Sequence, residues 1–248
     1  MRERDVMKAL VLHGFTGSLD TVTPLGKRLE KEGVEVALPI MRGHGTRPED
    51  LFRVHWRDWV ADAREAFLKL APRESDQVLV AGLSMGALVS CILAAEFPNR
   101  VKKLALLGPA FAFRSRLVHL VPVLKTVYSK WSSTPEFADP DLLSQNTNYL
   151  HFPIETFQQV LALTQVSQDL LPHVTCPVAT FLSKKDPAIP IKVLRMLDRK
   201  LGSGPAKRHV YKVSYHELLQ DVEAERVIGD VMNFFFSRSS TERRSAKA

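Results

Sequence analysis

One stretch decides how the rest of the chain is interpreted: Val78-Leu79-Val80-Ala81-Gly82-Leu83-Ser84-Met85-Gly86-Ala87-Leu88-Val89. Its first four residues predict a central strand, and the apolar run 87–97 predicts a helix that packs on the sheet. The Gly-x-Ser-x-Gly pattern between them is typical of a turn so sharp that a side chain at Gly82 or Gly86 would collide with the strand or the helix. Such a strained turn pushes the hydroxyl of Ser84 above the end of the sheet. Ser84 is therefore a candidate nucleophile; the alternative is a glycine-rich turn without chemistry.

Segments with strand and helix character alternate along the chain. Strands are predicted at 6–13, 34–38, 78–81, 103–107, 178–182 and 209–213, and helices at 23–32, 56–70, 87–97, 191–201 and 223–236. This alternation is typical of an α/β protein with a mostly parallel sheet that helices cover on both faces. The alternation of strands and helices is interrupted from Phe111 to about Pro172, where we find no strand pattern and predict an inserted helical cap.

These boundaries divide the 248 residues into a core (1–110 and 173–236), a helical cap (111–172) and a disordered basic tail (237–248). The two cysteines, Cys91 and Cys176, do not resemble a disulfide framework, which favours a reducing compartment. The apolar stretch near the N-terminus is too short for a signal peptide or a membrane span. We therefore predict a cytoplasmic location.

The formal net charge of +7 is unevenly distributed. The tail contributes +3 of it, so the body carries only about +4. No basic stripe interleaved with aromatic residues occurs, which argues against a nucleic-acid partner. Residues with the spacing of metal ligands and a glycine-rich phosphate loop are also missing, so we expect no metal catalysis.

Ligands of open parallel sheets bind beyond the carboxyl ends of the strands, so catalytic residues should follow strands. His216 follows the strand 209–213 and precedes the last helix, whereas His209 begins that strand and lies at the wrong end. Asp186 follows the strand 178–182 by four residues. The order Ser84, Asp186, His216 accompanies this kind of turn. The alternatives are that His216 is an ordinary surface residue and that Asp186 only stabilises a turn as part of an Asp-Pro pair.

These residue types can perform nucleophilic catalysis. His216 would accept the proton of Ser84 during attack and return it to the leaving group. Asp186 would fix the imidazole tautomer and stabilise the imidazolium. The backbone N–H groups of Met85 and Phe15 would stabilise the tetrahedral oxyanion, and Gly14 would let the loop approach.

Several motifs together carry a resemblance. They are His13-Gly14-Phe15-Thr16-Gly17, Arg42-Gly43-His44-Gly45-Thr46, Gly82-Leu83-Ser84-Met85-Gly86, the Asp186 loop, and Ser214-Tyr215-His216 followed by Asp221. In this set and order the chain resembles bacterial monoacylglycerol lipases and related carboxylesterases of the α/β-hydrolase superfamily. The resemblance implies hydrolysis of monoglycerides or of short- to medium-chain esters beneath a small cap, without a cofactor. It implies Ser84, Asp186 and His216 as the catalytic triad and Phe15 and Met85 as oxyanion donors.

The chain departs from that pattern in three places. Ala87 stands where such proteins commonly have a second glycine, and Glu217 follows the histidine where they often place an apolar residue. The extra carboxylate of Glu217 therefore lies either near the imidazole or in solvent. The cap sequence is not similar enough to those proteins for glycerol-binding residues to be assigned in it. His44 and Arg42 match the loop motif, and we interpret them as structural.

Alternatives follow from the same residues. A thioesterase, a lysophospholipase or a peptidase would use the same triad, and a non-catalytic binding protein could use the same scaffold. The basic-edged apolar run 111–125 of the cap either packs on the body or contacts acyl chains or a lipid surface. The partner expected from these residues is a small ester or lipid.

Overall fold

The computed structural model describes residues 6–133 and 136–237. The first five residues and residues 238–248, which include nearly all of the predicted basic tail, lie outside the described residues. No helix among the described residues is both long enough and apolar enough to span a membrane.

A six-stranded parallel sheet organises the protein, in the spatial order β2-β1-β3-β4-β7-β8. Its strands are β1 (Lys8–Leu12), β2 (Glu35–Ala37), β3 (Val78–Leu83), β4 (Val101–Leu107), β7 (Val178–Ser183) and β8 (Lys207–Tyr211), whereas β5 (Lys130–Ser132) and β6 (His151–Pro153) form a separate antiparallel pair. All six predicted sheet strands are present. β3 occupies the centre of the sheet, so the turn that follows it lies at the middle of the carboxyl edge.

Helices cover both faces of this sheet, as predicted. They are α1 (Thr23–Lys31), α2 (Trp56–Leu70), α3 (Met85–Glu96), α4 (Val121–Leu124), α5 (Ile154–Leu170), α6 (Lys192–Lys200) and α7 (Ala224–Phe236). Alternate residues of β1 belong to two separate hydrophobic clusters: Leu10 packs with side chains of α2 and α3, and Val11 packs with those of α1 and α7. This separation is the physical result of side chains that point to opposite faces along a strand.

The end of β8 differs from the prediction. The strand ends at Tyr211 rather than at Val213, because one carboxylate oxygen of Glu223 accepts hydrogen bonds from the N–H groups of the next three residues. These amides turn away from the sheet. The strand also begins two residues before His209, so the prediction that this histidine opens the strand is wrong. Its ring stacks on Phe181 with centroids 4.7 Å apart.

The segment between β4 and β7 contains the predicted insertion, and we keep the term cap for residues 111–172. Besides α4 and α5 it holds 3-10 turns at Arg116–Leu120 and Pro140–Gln145. The prediction that it contains no strand is wrong, because β5 and β6 pair there with Trp131 opposite Phe152. Each strand has three residues, too few for an alternating pattern to be recognised. The cap is fixed to the body by α5, whose Ser167 hydroxyl donates to the carbonyl of Leu88 at 3.1 Å.

Candidate active site

Ser84 lies at the sharp turn between β3 and α3, with a left-handed backbone (φ 54°, ψ −112°). The turn is possible because two glycines allow backbone segments to touch. A Cβ at Gly82 would lie 2.3 Å from the carbonyl oxygen of Gly86, and a Cβ at Gly86 would lie 2.4 Å from that of Leu12. The predicted collisions are therefore confirmed: one is with the helix and the other with the neighbouring strand β1.

Asp186 and His216 come together across the ends of β7 and β8. The Oδ2 atom of Asp186 accepts a hydrogen bond from Nδ1 of His216 at 2.7 Å, and Asp186 is fully buried. The other oxygen, Oδ1, accepts from the N–H groups of Ala188 and Ile189, each at 2.8 Å. Asp186 therefore performs the turn role that we considered as an alternative and also orients the histidine, with one oxygen for each task.

The loop that carries Asp186 is held by the cap. Nε of Arg114 donates to the carbonyl of Asp186 at 2.6 Å, and a terminal guanidinium nitrogen donates to the carbonyl of Lys184 at 3.0 Å. On the opposite side, Gly108 faces the imidazole, and a Cβ there would lie 3.1 Å from Cε1 of His216. The histidine is thus confined on several sides, which fixes its ring.

The charge state of His216 depends on competing effects. Burial by itself would lower the pKa of His216, but the carboxylate of Asp186, aided by those of Glu217 and Glu136, outweighs burial and raises the pKa to about 9. The site therefore stabilises an imidazolium strongly, which is the species that proton transfer from a nucleophile would create.

Ser84 and His216 line one cavity of about 320 Å³, together with Phe15 and Met85. The Ser84 hydroxyl makes no hydrogen bond within the described residues; a bond between nucleophile and base often tightens only when substrate binds. Most of the remaining wall is apolar and comes largely from the cap. Its large side chains are those of Phe113, Leu117, Val118, Trp131, Phe152 and Phe157.

The predicted oxyanion donors also meet at this cavity. A Cβ at Gly14 would lie 3.2 Å from Cβ of Ser84, so the missing side chain lets the loop after β1 approach the serine. Neither the N–H of Phe15 nor that of Met85 donates to another described residue. Met85 is the first residue of α3, where N–H groups are unpaired and the helix dipole favours negative charge.

The two loop histidines support this arrangement from below. Nδ1 of His13 donates to the carbonyl of Gly14 at 2.8 Å, and its Nε2 accepts from the N–H of Met41 at 3.0 Å. Burial lowers the pKa of His13 to about 4 and that of His44 to about 3. Both rings are therefore neutral at pH 7. Arg42 forms ion pairs with two carboxylates of α2, at 3.0 and 2.8 Å. Nδ1 of His44 lies 3.1 Å from the carbonyl oxygens of Met41 and Arg42, so the contacts of both His44 and Arg42 agree with their structural interpretation.

Sequence reasoning missed two residues of the cavity region. Glu136 lines the cavity beside Glu217, and Asn148 donates to both carboxylates, at 2.5 and 3.0 Å. Both missed residues belong to turn-rich parts of the cap without periodicity, so no pattern distinguished them from surface residues. No group of three or more His, Cys, Asp or Glu side chains able to hold a metal occurs among the described residues.

The sequence matches, over residues 6–223, the family described as serine aminopeptidase, S33. The chain belongs to this family. The S33 protein is 26% identical over 239 residues to a thermostable monoacylglycerol lipase of Bacillus sp. (strain H-257), covering 94% of this chain and 92% of the relative. It is 23% identical over 226 residues to a carboxylesterase of Bacillus subtilis (strain 168), covering 91% and 90% of the two chains.

The S33 protein also resembles solved structures over most of its length. One comes from a study of LipS and LipT, two metagenome-derived lipolytic enzymes; it has a TM-score of 0.83 and 25% identity and covers 92% of each chain. The fold of the S33 protein is therefore the α/β-hydrolase fold, as the motif resemblance implied.

Proposed function

We propose that the protein is a serine hydrolase of carboxylic esters that acts through an acyl-enzyme intermediate. One observation carries the proposal: Ser84 and His216 line a single, largely apolar cavity, and Oδ2 of Asp186 accepts a hydrogen bond from Nδ1 of the imidazole at 2.7 Å. The relatives described above, a monoacylglycerol lipase and a carboxylesterase, support the same reaction class.

In this reaction Oγ of Ser84 attacks the ester carbonyl while Nε2 of His216 takes the hydroxyl proton. The carbonyl oxygen becomes an oxyanion that the N–H groups of Phe15 and Met85 stabilise. Collapse of this intermediate breaks the bond to the alcohol, and His216 returns the proton to the leaving oxygen. Water then attacks the acyl-enzyme with His216 again as base, which releases the acid and restores Ser84. Asp186 keeps the proton of Nδ1 in place throughout.

The apolar wall supports an acyl chain as the group that occupies most of the cavity. Phe15, Phe152 and Phe157 pack against one another with ring centroids 4.9 to 6.0 Å apart. The substrate class that fits is monoacylglycerols and other short- to medium-chain esters. A cytoplasmic location and contact of the cap with a lipid surface stay predictions, as does the assignment of the five site residues.

The experiment that tests this function compares wild type with Ser84→Ala on a monoacylglycerol series and on p-nitrophenyl butyrate. We expect wild type to cleave both kinds of ester and Ser84→Ala to lose at least about 10⁴-fold in kcat, because no other group replaces the nucleophile. Its thermal unfolding should stay close to that of wild type. Residual turnover near the wild-type value would place the nucleophile elsewhere.

The family description gives a second candidate, an aminopeptidase. The same triad would cleave an amide, and two carboxyl groups line the cavity where a substrate amine could bind. Turnover of amino-acid p-nitroanilides in the same assay separates the two. An enzyme that cleaves the anilides faster than esters of matched size would be a peptidase.

A further inference from the structure

The cavity has a polar end that the triad chemistry does not use. Glu136 and Glu217 both line it beside Ser84 and His216, and both are buried, with 8% and 4% of their surface exposed. Buried carboxyl groups are rare without partners, because burial penalises the charged form. A pair of them next to a catalytic histidine therefore requires an explanation.

Asn148 holds the two carboxyl groups together. Its Nδ2 donates to Oε2 of Glu136 at 2.5 Å and to Oε1 of Glu217 at 3.0 Å. The backbone completes the cluster, since the carbonyl of Glu136 accepts from the N–H groups of His216 and Glu217, each at 3.0 Å. The cluster is thus built onto the loop of the catalytic histidine and is not a chance meeting of surface acids.

Two acceptors of the cluster have no partner among the described residues. Oε2 of Glu217 and Oδ1 of Asn148 are both buried and form no hydrogen bond with any described residue. An acceptor that loses its water without gaining a donor costs stability, and proteins rarely keep one without a use. Because Glu217 lines the cavity, a rotation of its carboxyl group would present this oxygen to a hydrogen-bond donor on the substrate.

The chemistry of the donor follows from charge. Burial raises the pKa of both carboxyl groups, and repulsion adds to this: the charge of Glu136 raises the pKa of Glu217, and that of Asp186 raises the pKa of both. The pair therefore resists carrying two full negative charges, and the nearby imidazolium of His216 balances part of the charge that it has. A neutral hydroxyl group fits this balance without adding a further charge.

The position identifies which part of the substrate carries that hydroxyl. His216 must reach the leaving oxygen to protonate it, so the alcohol part of the ester lies on the His216 side, next to Glu217. The acyl part then lies against the apolar wall. We propose that Glu217 and Glu136, held by Asn148, form a subsite that binds a free hydroxyl group on the alcohol part of the ester.

This proposal rests on the proposed esterase function, so its test uses three butyrates that share one acyl group. Glycerol monobutyrate carries free hydroxyls, propyl butyrate lacks them, and p-nitrophenyl butyrate reports triad chemistry alone. For wild type we expect kcat/KM to favour glycerol monobutyrate over propyl butyrate by about 10-fold, because propyl butyrate leaves a buried acceptor unpaired.

In Glu217→Leu this preference should fall to within roughly threefold, because the acceptor is replaced by an apolar group of similar size. Glu217→Gln keeps a carbonyl acceptor and should retain part of the preference even if the leucine variant does not fold. Glu65→Leu, on the exposed face of α2, is the matched control and should keep the wild-type ratio. Glycerol should also inhibit wild type more than propanol does, and Glu217→Leu should lose this difference.

Two outcomes would overturn the proposal. In the first, wild type cleaves p-nitrophenyl butyrate, loses that activity in Ser84→Ala and yet treats the two alcohol esters alike. In the second, both Glu217 variants keep the full preference for glycerol monobutyrate. A wild type that cleaves none of the three esters would instead refute the proposed function itself, so the two failures are distinguishable.

Discussion

A single methyl group should strongly disturb the backbone contact beneath the turn at Ser84. A Cβ at Gly86 would lie 2.4 Å from the carbonyl oxygen of Leu12, 2.6 Å from that of His13 and 2.8 Å from the carbonyl carbon of Leu12. These atoms belong to the backbone at the end of β1, which pairs with β2 on one side and β3 on the other. These backbone atoms cannot move away without breaking hydrogen bonds between β1 and its neighbouring strands. The clash in Gly86→Ala therefore cannot be relieved by a small movement.

Overpacking of a core typically costs about 1–3 kcal/mol. Here the obstructing atoms are backbone and the approach is about 1 Å closer than ordinary contact, so we expect about 3 kcal/mol for Gly86→Ala. For a domain of this size that loss lowers Tm by roughly 6–12 °C. The matched control is Gly229→Ala in α7, where an added Cβ meets nothing within 4 Å. That variant should gain about 0.5–1 kcal/mol, since alanine favours helix.

Urea unfolding followed by circular dichroism gives both free energies, and the rate of fluorophosphonate labelling reports the geometry of Ser84. We expect Gly86→Ala to unfold at lower urea and to label more slowly, and Gly229→Ala to label like wild type. If Gly86→Ala unfolded within about 0.5 kcal/mol of wild type and labelled at the same rate, strand β1 and helix α3 could not meet as described.

Two further predictions concern the proton relay. The value of kcat/KM for p-nitrophenyl butyrate should rise with pH through neutrality towards an apparent pKa near 9, because only the neutral ring of His216 can accept a proton. Burial by itself would lower the pKa of His216, but the carboxylates of Asp186, Glu217 and Glu136 raise it. Glu217→Gln should move this limb to lower pH; a profile that is flat between pH 6 and 9 would contradict the assignment. Asp186→Asn should lower kcat by about 10³–10⁴-fold, because the imidazole then adopts the wrong tautomer. The control is Asp169→Asn on the exposed side of α5. A loss below tenfold in Asp186→Asn would show that Asp186 does not orient His216 during the reaction.

Much of the core of the fold could be predicted from the sequence because its causes are local or topological. The turn at Ser84 follows from two glycines at fixed spacing around a serine. The rule that sites lie beyond the carboxyl ends of parallel strands separates His216 from His209 without any knowledge of contacts. The first inference needed only a short motif and the second only the order of elements, so errors of one or two residues in strand ends did not affect them.

The polar end of the cavity could not be predicted in this way. Glu217 was recognised as a departure from the family pattern, but its burial depends on the carbonyl of Glu136, which is some eighty residues earlier in the chain. Glu136 and Asn148 lie in cap segments whose conformation is set by tertiary contacts rather than by periodicity. The strands β5 and β6 were missed for the same reason, since a three-residue strand gains its stability from its partner.

The contacts between the cap and the body divide the cavity into two mechanically different ends. At the polar end, the carboxylate of Asp221 accepts from the N–H of Ala138 in the cap and from the N–H of Tyr215 in the histidine loop. Together with the bonds to the carbonyl of Glu136, these make the cap segment and the histidine loop one hydrogen-bonded unit. Separating them would leave several buried groups unpaired, at about 1–3 kcal/mol each. At the apolar end, Leu117 lines the cavity and is still 53% exposed. That wall is held by dispersion and burial, which have no preferred direction. Under the proposed function we therefore expect the apolar wall to adjust to acyl chains of different length, while the hydrogen-bonded polar end keeps its geometry.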